Sequence, residues 1–315
     1  MSYVVGVDIG GTTVKCGIFT SEGKLVDKWE VPTRKEENGK YIVEDIAAAL
    51  KSKLIDNGVD IDDVEGIGMG VPGPVQPNGY VELCVNLGWK DIWPARQLEE
   101  AMGGKVTCMA GNDANVAALG EMWQGGGKGY SNVVAVTLGT GVGGGIILDG
   151  KMVAGSHGLG GEIGHIHIRD EETEACNCGG HGCVEQVASA TGILREAKRN
   201  LAKTDKPSRM RDFGDELTCR NVCDCAKEGD EIAVETLETS CRYLGQALAA
   251  ITLVIDPEIF VIGGGVSKAG SFLIELIRKY YKFYTPMTEK KADIALAMLG
   301  NDAGIYGAAN LVLKK

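Results

Sequence analysis

The chain has 315 residues, with 32 Lys and Arg against 43 Asp and Glu, which gives a formal net charge of −11. An acidic surface repels nucleic-acid phosphates and anionic lipids, so we expect neither a nucleic acid nor a membrane as a partner. No apolar run reaches the roughly 20 residues of a membrane span, and the N-terminus lacks the pattern of a signal peptide. The ten cysteines therefore predict thiols of a cytoplasmic protein, some of which could bind a metal, and the length favours two domains.

Short β-branched segments alternate with longer amphipathic ones along the chain, and this alternation predicts an α/β fold. Strands are expected at residues 4–9, 14–19, 25–31, 64–71, 105–109 and 259–262. Helices are expected at residues 41–57 and 114–123, and a further helix begins after Thr218 and continues to about residue 237.

The opening pattern of the chain returns later in the sequence. The segment that begins at Val4 resembles the segment that begins at Val133, at an offset of 129 residues. Each predicts a strand, a glycine turn, a second strand, a Gly-Lys turn and a third strand. Unless the similarity is chance, it indicates two related β-meander cores, one in each domain, whose glycine turns face each other across a cleft.

Three glycine-rich turns follow predicted strands, and they form a candidate phosphate site. Glycines let backbone N–H groups converge on an anion, and threonine hydroxyls add donors. Asp8, at the end of the first strand, suits indirect coordination of Mg²⁺. Neither the P-loop pattern nor the dinucleotide-binding pattern fits these turns. We expect the nucleotide to be held by Asp8, Gly10, Gly11, Thr12, Thr13 and Lys15, by Gly139, Thr140 and Gly141, and by Gly263, Gly264 and Gly265.

Asn112 and Asp113 lie between a predicted strand and a predicted helix. An aspartate at such a place is often a helix N-cap, which would explain Asp113 without any catalytic role. Phosphoryl transfer to an alcohol also needs a carboxylate near the attacking oxygen, and Asp113 could act as that general base. The residues alone leave both interpretations open.

The cysteines fall into two clusters. Cys176, Cys178 and Cys183 place three thiols within eight residues, separated by glycines that would let the loop wrap around one tetrahedral ion. The alternative is a loop with three free thiols. Cys219, Cys223 and Cys225 follow helical spacing without a histidine or a glycine loop, and we expect them to be ordinary helix thiols.

Taken together, these motifs resemble the ROK family (repressors, open reading frames and kinases), within the superfamily of actin, hexokinase and the heat-shock ATPases. Residues 138–165 resemble the family signature, with glycines at 139, 141, 143, 155, 161 and 164. The segment CNCGGHGCVEQVASATG from Cys176 resembles the zinc segment of bacterial glucokinases in that family. The resemblance covers the whole chain. It implies a two-domain, ribonuclease-H-like α/β fold of the actin and hexokinase type, with a small domain at 1–117 plus 300–315 and a large domain at 118–299.

The resemblance also implies an activity and a set of site residues. The reaction would be ATP-dependent phosphorylation of the 6-hydroxyl of D-glucose, the first step of glycolysis, with Asp113 as general base. Mg²⁺ would accompany ATP, held indirectly by Asp8, and a homo-oligomer (dimer or tetramer) is expected. Structural Zn²⁺ would be held by Cys176, Cys178, Cys183 and His165, whereas His167 and His181 lie off the family pattern. Sugar contacts would come from Gly73, Asn86, Asn112, Asp113, Glu162, His165 and Glu185.

Two rival functions belong to the same family. Sugar-sensing repressors carry a DNA-binding motif ahead of the kinase fold, whereas this chain reaches its first phosphate strand at Val4 and keeps Asp8 and Asp113. Kinases for fructose, N-acetylmannosamine or N-acetylglucosamine would share Glu162, His165 and Glu185, so the preferred sugar stays open. No run of basic residues favours polyphosphate over ATP as the donor.

Overall fold

The computed structural model describes residues 2–313. These residues divide into two compact units: unit 1 comprises residues 2–133, 145–161 and 298–313, and unit 2 comprises residues 134–144 and 162–297. The predicted boundary between residues 117 and 118 falls inside a continuous helix that belongs wholly to unit 1, so the structural units differ there from the predicted domains. The last two residues of the predicted segment 300–315 lie outside the described residues.

Unit 1 holds one five-stranded sheet, a small hairpin and the helices that pack on them. Its strands are β1 (Tyr3–Ile9), β2 (Thr13–Thr20), β3 (Leu25–Pro32), β4 (Val64–Val71), β5 (Val81–Cys84), β6 (Trp89–Ile92) and β7 (Cys108–Asn112). Its helices are the short turn α1 (Glu36–Gly39), α2 (Ile42–Asp56), α3 (Pro94–Ala101), α4 (Asp113–Gln124) and, at the other end of the chain, α10 (Ala303–Leu311). The apolar faces of β1, β2, β4 and α2 form its main core.

Unit 2 is rich in helices. They are α5 (Glu185–Ala188), α6 (Ala190–Ala202), α7 (Cys219–Lys227), α8 (Glu231–Ile255) and α9 (Ser271–Tyr284), with strands β11 (Ile259–Gly263) and β12 (Asp293–Leu296). The helix expected from Thr218 to about residue 237 is two helices instead. The chain turns at Gly229, and the Asp230 side chain then caps a new helix by accepting from Ile232 N and Ala233 N.

The two sheets share one order of strands. The first sheet is ordered β3-β2-β1-β4-β7, and the second is ordered β10-β9-β8-β11-β12, where β8 is Val133–Leu138, β9 is Val142–Leu148 and β10 is Lys151–Met152. Counted along the chain, both orders are 3-2-1-4-5. The predicted duplication is therefore present in the topology, although the third strand of the second copy has only two residues.

Helix α10 packs directly on the backbone of the first sheet. A Cβ at Gly6 or Gly68 would overlap the carbonyls of Ile305 and Ala308, and a Cβ at Gly307 would overlap the carbonyl of Val116 on α4. These glycines therefore permit backbone contact that any larger residue would prevent. The buried Glu121 of α4 fixes the segment before α10, because its carboxylate accepts from Met298 N and Leu299 N.

Strand β7 begins three residues later than expected. The sequence predicts a strand at 105–109, whereas the parallel register pairs Ile67 with Cys108 and Val71 with Asn112. This register brings Asn112 to the end of the sheet. No helix among residues 2–313 is long and apolar enough to cross a membrane. All ten cysteines lie in this part of the chain, and none of them forms a disulfide.

Candidate active site

Three strands of unit 1 end side by side and present the first group of predicted site residues. In the parallel register, Asp8 of β1 lies opposite Gly70 of β4, and Gly70 lies opposite Gly111 of β7. A Cβ at Gly70 would contact Asp8 Oδ1 at 3.4 Å and Asp113 Cα at 3.6 Å. Because Gly70 has no side chain, Asp8 and Asp113 can lie next to each other at one edge of the sheet.

Asp8 is half-buried. Burial raises the pKa of its carboxyl above the ordinary value, while Lys15, its partner across β1 and β2, acts in the opposite direction. Lys15 Nζ donates to the carbonyl of Asn301 at 2.9 Å, and a Cβ at Gly304 would overlap the Asp8 carboxylate. A half-buried carboxylate of this kind is stabilised as the anion by a nearby cation, which fits the predicted role toward Mg²⁺.

The first predicted glycine turn joins β1 and β2. Gly10 N donates to the carbonyl of Thr13 at 3.0 Å, and the Thr33 hydroxyl donates to the carbonyl of Gly10 at 2.8 Å. Gly11 is half-buried and Thr12 is exposed at the tip of the turn. The turn is thus held at its base while its tip faces solvent.

Helix α4 is capped by Asn112 and not by Asp113. Asn112 has extended backbone angles, φ −59° and ψ 139°, and its Oδ1 accepts from Asn115 N at 3.0 Å. Asp113 is therefore the first helical residue, and its Oδ1 accepts from Ala114 N at 2.8 Å. The cap interpretation of Asp113 is thereby wrong. Its carboxylate is held at the positive end of the helix, where negative charge is stabilised.

Asn112 also connects Asp113 to Gly73. Asn112 Nδ2 donates to the carbonyl of Gly73 at 3.0 Å and to Asp113 Oδ1 at 3.2 Å. Asn86 lies in the exposed turn between β5 and β6, three residues beyond Leu83, whose carbonyl would contact a Cβ at Gly73 at 3.9 Å. The structure thus joins Gly73, Asn112 and Asp113 by hydrogen bonds and leaves Asn86 at the margin of this group.

The second and third glycine turns are adjacent in unit 2. Gly264 has φ +84°, and a Cβ there would lie only 2.5 Å from the carbonyl of Leu138, directly before Gly139. The Ser267 hydroxyl donates to the carbonyl of Gly264 at 2.8 Å, and the space beside Gly265 is open. Gly139 N donates to the carbonyl of Gly141 at 2.9 Å and closes the second turn.

Four predicted zinc ligands converge in unit 2. One ligand atom each from His165, Cys176, Cys178 and Cys183 lies within 4.8 Å of all the others. Cys176 Sγ lies 3.7 Å from His165 Nδ1, and Cys178 Sγ lies 3.6 Å from Cys183 Sγ. Ligand atoms around a tetrahedral Zn²⁺ are roughly 3.5–3.8 Å apart, and these two distances match that spacing. The four residues form a closed His-Cys₃ set.

The neighbouring histidine has other partners. His167 Nδ1 lies 2.7 Å from the carbonyl of His181, and His167 Nε2 lies 2.8 Å from Asp170 Oδ1. His165 alone among these histidines is directed at the thiols, and its Nε2 lies 3.9 Å from Glu162 Oε2. One ring nitrogen of His165 thus faces the cluster and the other faces a predicted sugar contact.

Glu185 links the cysteine cluster to the second glycine turn. Its Oε2 accepts from Val142 N at 3.0 Å, and its Oε1 lies 3.8 Å from Cys176 Sγ. A Cβ at Gly141 would overlap this carboxylate, so the glycine there makes the approach possible. Glu162, His165 and Glu185, the three predicted sugar contacts of unit 2, are therefore all tied to the cysteine segment.

An ion-pair network that the sequence analysis did not identify anchors this segment. Arg199 of α6 makes two hydrogen bonds of 2.9 Å to the carboxylate of Glu172, whose side chain is fully buried. Arg169 and Arg199 both donate to Glu196 Oε1. The Arg199–Glu172 and Arg169–Glu196 pairs each join residues 27 positions apart, and no local pattern in the sequence indicates them. They hold the start of the cysteine segment independently of any ion.

Two sheets of the same strand order, each with a glycine turn after its first strand, define the α/β fold of the actin-like ATPases and hexokinases. The profile of the ROK family matches residues 4–315. The chain belongs to the ROK family, so the predicted fold class and family are both confirmed.

Several of the proteins that this chain resembles are sugar kinases. The chain is 42% identical to a glucokinase of Halalkalibacterium halodurans over 314 residues, which is 98% of this chain and 94% of that protein. A ROK hexokinase from Thermus thermophilus superposes with a TM-score of 0.81 at 33% identity, covering 98% of this chain and 96% of that one. A ROK family glucokinase from Streptomyces griseus, in complex with glucose and AMPPNP, gives a TM-score of 0.74 at 34% identity, covering 98% and 99%.

Proposed function

We propose that this chain is an ATP-dependent glucokinase that transfers the terminal phosphoryl group of ATP to the 6-hydroxyl of D-glucose. The observation that carries the proposal is the position of Asp113. This residue is the first residue of α4 and not its N-cap, and it lies beside Asp8 at the edge of the first sheet. The glucokinase relatives support the choice of glucose.

In unit 1, Asp113 would accept the proton of the attacking hydroxyl as the phosphoryl group is transferred. Asn112 and Gly73 would hold Asp113 in place and line the sugar site with it, and Asn86 would close its margin. Asp8 would hold the hydration shell of Mg²⁺, which supplies neutralisation of the phosphate charge when ATP is bound. Lys15 and the turn from Gly10 to Thr13 would approach the phosphates.

In unit 2, Glu162, His165 and Glu185 would bind hydroxyls of the sugar ring, because carboxylates and imidazoles are directional partners for hydroxyls. The glycine turns 139–141 and 263–265 would hold the nucleotide. The cysteine segment would bind Zn²⁺ through His165, Cys176, Cys178 and Cys183, and four protein ligands leave no open position for water. The ion would therefore stabilise the segment and take no part in the transfer.

A coupled ADP-release assay across several sugars tests the proposal. The panel is glucose, fructose, mannose, N-acetylmannosamine and N-acetylglucosamine, each with ATP and with polyphosphate as donor. We expect the highest kcat/KM with glucose and ATP. A clearly higher kcat/KM with N-acetylmannosamine or fructose would instead support the alternative, a ROK kinase for another hexose. The predicted dimer or tetramer stays a prediction, which light scattering of the purified protein tests.

A further inference from the structure

The second glycine turn is oriented by the first residues of helix α6. Ala190 N donates to the carbonyl of Gly139 at 2.8 Å, and the Thr191 hydroxyl donates to the carbonyl of Thr140 at 2.7 Å. In a trans peptide the carbonyl and the following N–H point to opposite sides. The N–H groups of Thr140 and Gly141 are therefore both directed away from α6, on the same side of the turn.

The direction of the Thr191 hydrogen bond is set by Ser189. The Ser189 hydroxyl oxygen accepts from Gly192 N at 3.0 Å and lies 2.9 Å from Thr191 Oγ1. A hydroxyl has one proton, and Thr191 gives its proton to Thr140, so Ser189 donates to Thr191. This relay begins at Ser189, which is fully buried, and ends on the carbonyl of Thr140.

Thr140 needs an anchor from outside the turn because glycines flank it on both sides. Glycine restricts backbone rotation less than any other residue, so the peptide between Thr140 and Gly141 has little local reason to keep one orientation. Rotation of that peptide would turn the Gly141 N–H away from the side of the turn that the Thr140 N–H faces. The Thr191 hydroxyl is the side-chain contact that opposes this rotation.

We propose that Thr191 is a positioning residue for the nucleotide: its hydroxyl holds the Thr140 carbonyl so that adjacent backbone N–H groups face the phosphates of ATP. The proposal rests on the proposed function for the identity of the ligand. It assigns a role to the first residues of α6, which belong to neither the proposed sugar contacts nor the cysteine segment.

The test compares three variants with the wild-type protein. Thr191→Val removes the hydroxyl at nearly constant volume, and Thr191→Ser restores it. Thr285→Val is the matched control, because the Thr285 hydroxyl also donates to a backbone carbonyl in unit 2 at 2.7 Å, that of Tyr281, away from the glycine turns. Steady-state kinetics give KM for ATP and for glucose, and calorimetry with a non-hydrolysable ATP analogue gives nucleotide affinity without turnover.

We expect Thr191→Val to raise KM for ATP and the Kd of the analogue about 3- to 10-fold, the range for loss of one neutral hydrogen bond. KM for glucose and zinc content should stay unchanged, Thr191→Ser should return to within about twofold of wild type, and Thr285→Val should bind the analogue like wild type. Wild-type affinity in Thr191→Val, or equal losses in Thr191→Val and Thr285→Val, would overturn the inference. If the wild-type protein binds the analogue but phosphorylates no hexose, the proposed function fails while the calorimetric comparison still decides the role of Thr191.

Discussion

Replacing Glu172 by Gln should destabilise unit 2 by an amount that depends on pH. The Glu172 carboxylate is fully buried, and its two hydrogen bonds from Arg199 hold its pKa at about 2, against an ordinary value of 4.5. A pKa lowered by folding means that the ionised carboxylate stabilises the folded state. The contribution is fully present above the unfolded value of 4.5 and is lost as the pH falls through about 2.

The size of the effect follows from the two pKa values. At 1.36 kcal/mol per pKa unit, their difference corresponds to about 3 kcal/mol of unfolding free energy at pH 7. By the same relation about 1 kcal/mol of it remains at pH 3, because most unfolded chains are then protonated at this residue. Glu172→Gln should therefore be less stable than wild type by about 3 kcal/mol at pH 7 and by about 1 kcal/mol at pH 3.

Urea unfolding followed by far-ultraviolet circular dichroism measures this difference, with chelator present so that metal binding does not contribute. Glu231→Gln is the matched control, because Glu231 pairs with Lys206 at the surface, with 81% of its side chain exposed. The control should change stability by less than about 1 kcal/mol. Equal stability of wild type and Glu172→Gln at pH 7, or a difference that does not shrink at pH 3, would refute this account of the network.

Three further predictions concern the site. Asp113→Asn should lower kcat by roughly 10²- to 10⁴-fold while glucose affinity in calorimetry changes little, because the amide keeps the volume but accepts no proton; near-normal turnover would remove Asp113 from catalysis. Cys178→Ser should release zinc and weaken glucose binding more than nucleotide binding, measured by metal analysis and separate titrations; full glucose affinity without metal would contradict it. Gly304→Ala places a Cβ against the Asp8 carboxylate and should lower the unfolding free energy by about 1–3 kcal/mol, measured by urea unfolding. The same variant should raise KM for Mg·ATP. An unchanged unfolding free energy and an unchanged KM would contradict the packing argument.

The parts of the fold that depend on local pattern could be predicted from the sequence. The repeat between the segments at Val4 and Val133 predicts two copies of one meander, and the two sheets have the same strand order. The third strand of the second copy is much shorter than expected, since only Lys151 and Met152 pair with β9. The repeat predicts the order of the strands but not their lengths. The length of an edge strand depends on how many of its residues pair with the neighbouring strand.

Two features of the candidate site could be recognised only from the structure. Both Asn112 and Asp113 are residue types that cap helices well, and only the backbone angles and the hydrogen bond from Asn115 N show that Asn112 is the cap. The residue spacing alone did not select one histidine for the cysteine cluster, whereas the geometry directs His165 to the thiols and gives His167 other partners.

Individual side-chain contacts between distant segments could not be predicted from the sequence. Glu121 accepts from backbone N–H groups more than 170 positions away, and Arg199 pairs with Glu172 across 27 positions. An isolated Glu or Arg in a sequence usually lies at the surface, so nothing marks such residues before the chain is folded. The relay from Ser189 through Thr191 to Thr140 belongs to the same group.

The most direct test of the central claim counts two products in one reaction. Purified protein is incubated with ATP, Mg²⁺ and D-glucose; ADP is measured directly, and glucose 6-phosphate is measured through its specific oxidation by a dehydrogenase. The proposed reaction predicts one glucose 6-phosphate for every ADP, with neither product formed when glucose is left out. ADP formed without glucose 6-phosphate, or no ADP above the glucose-free rate, would contradict the assignment.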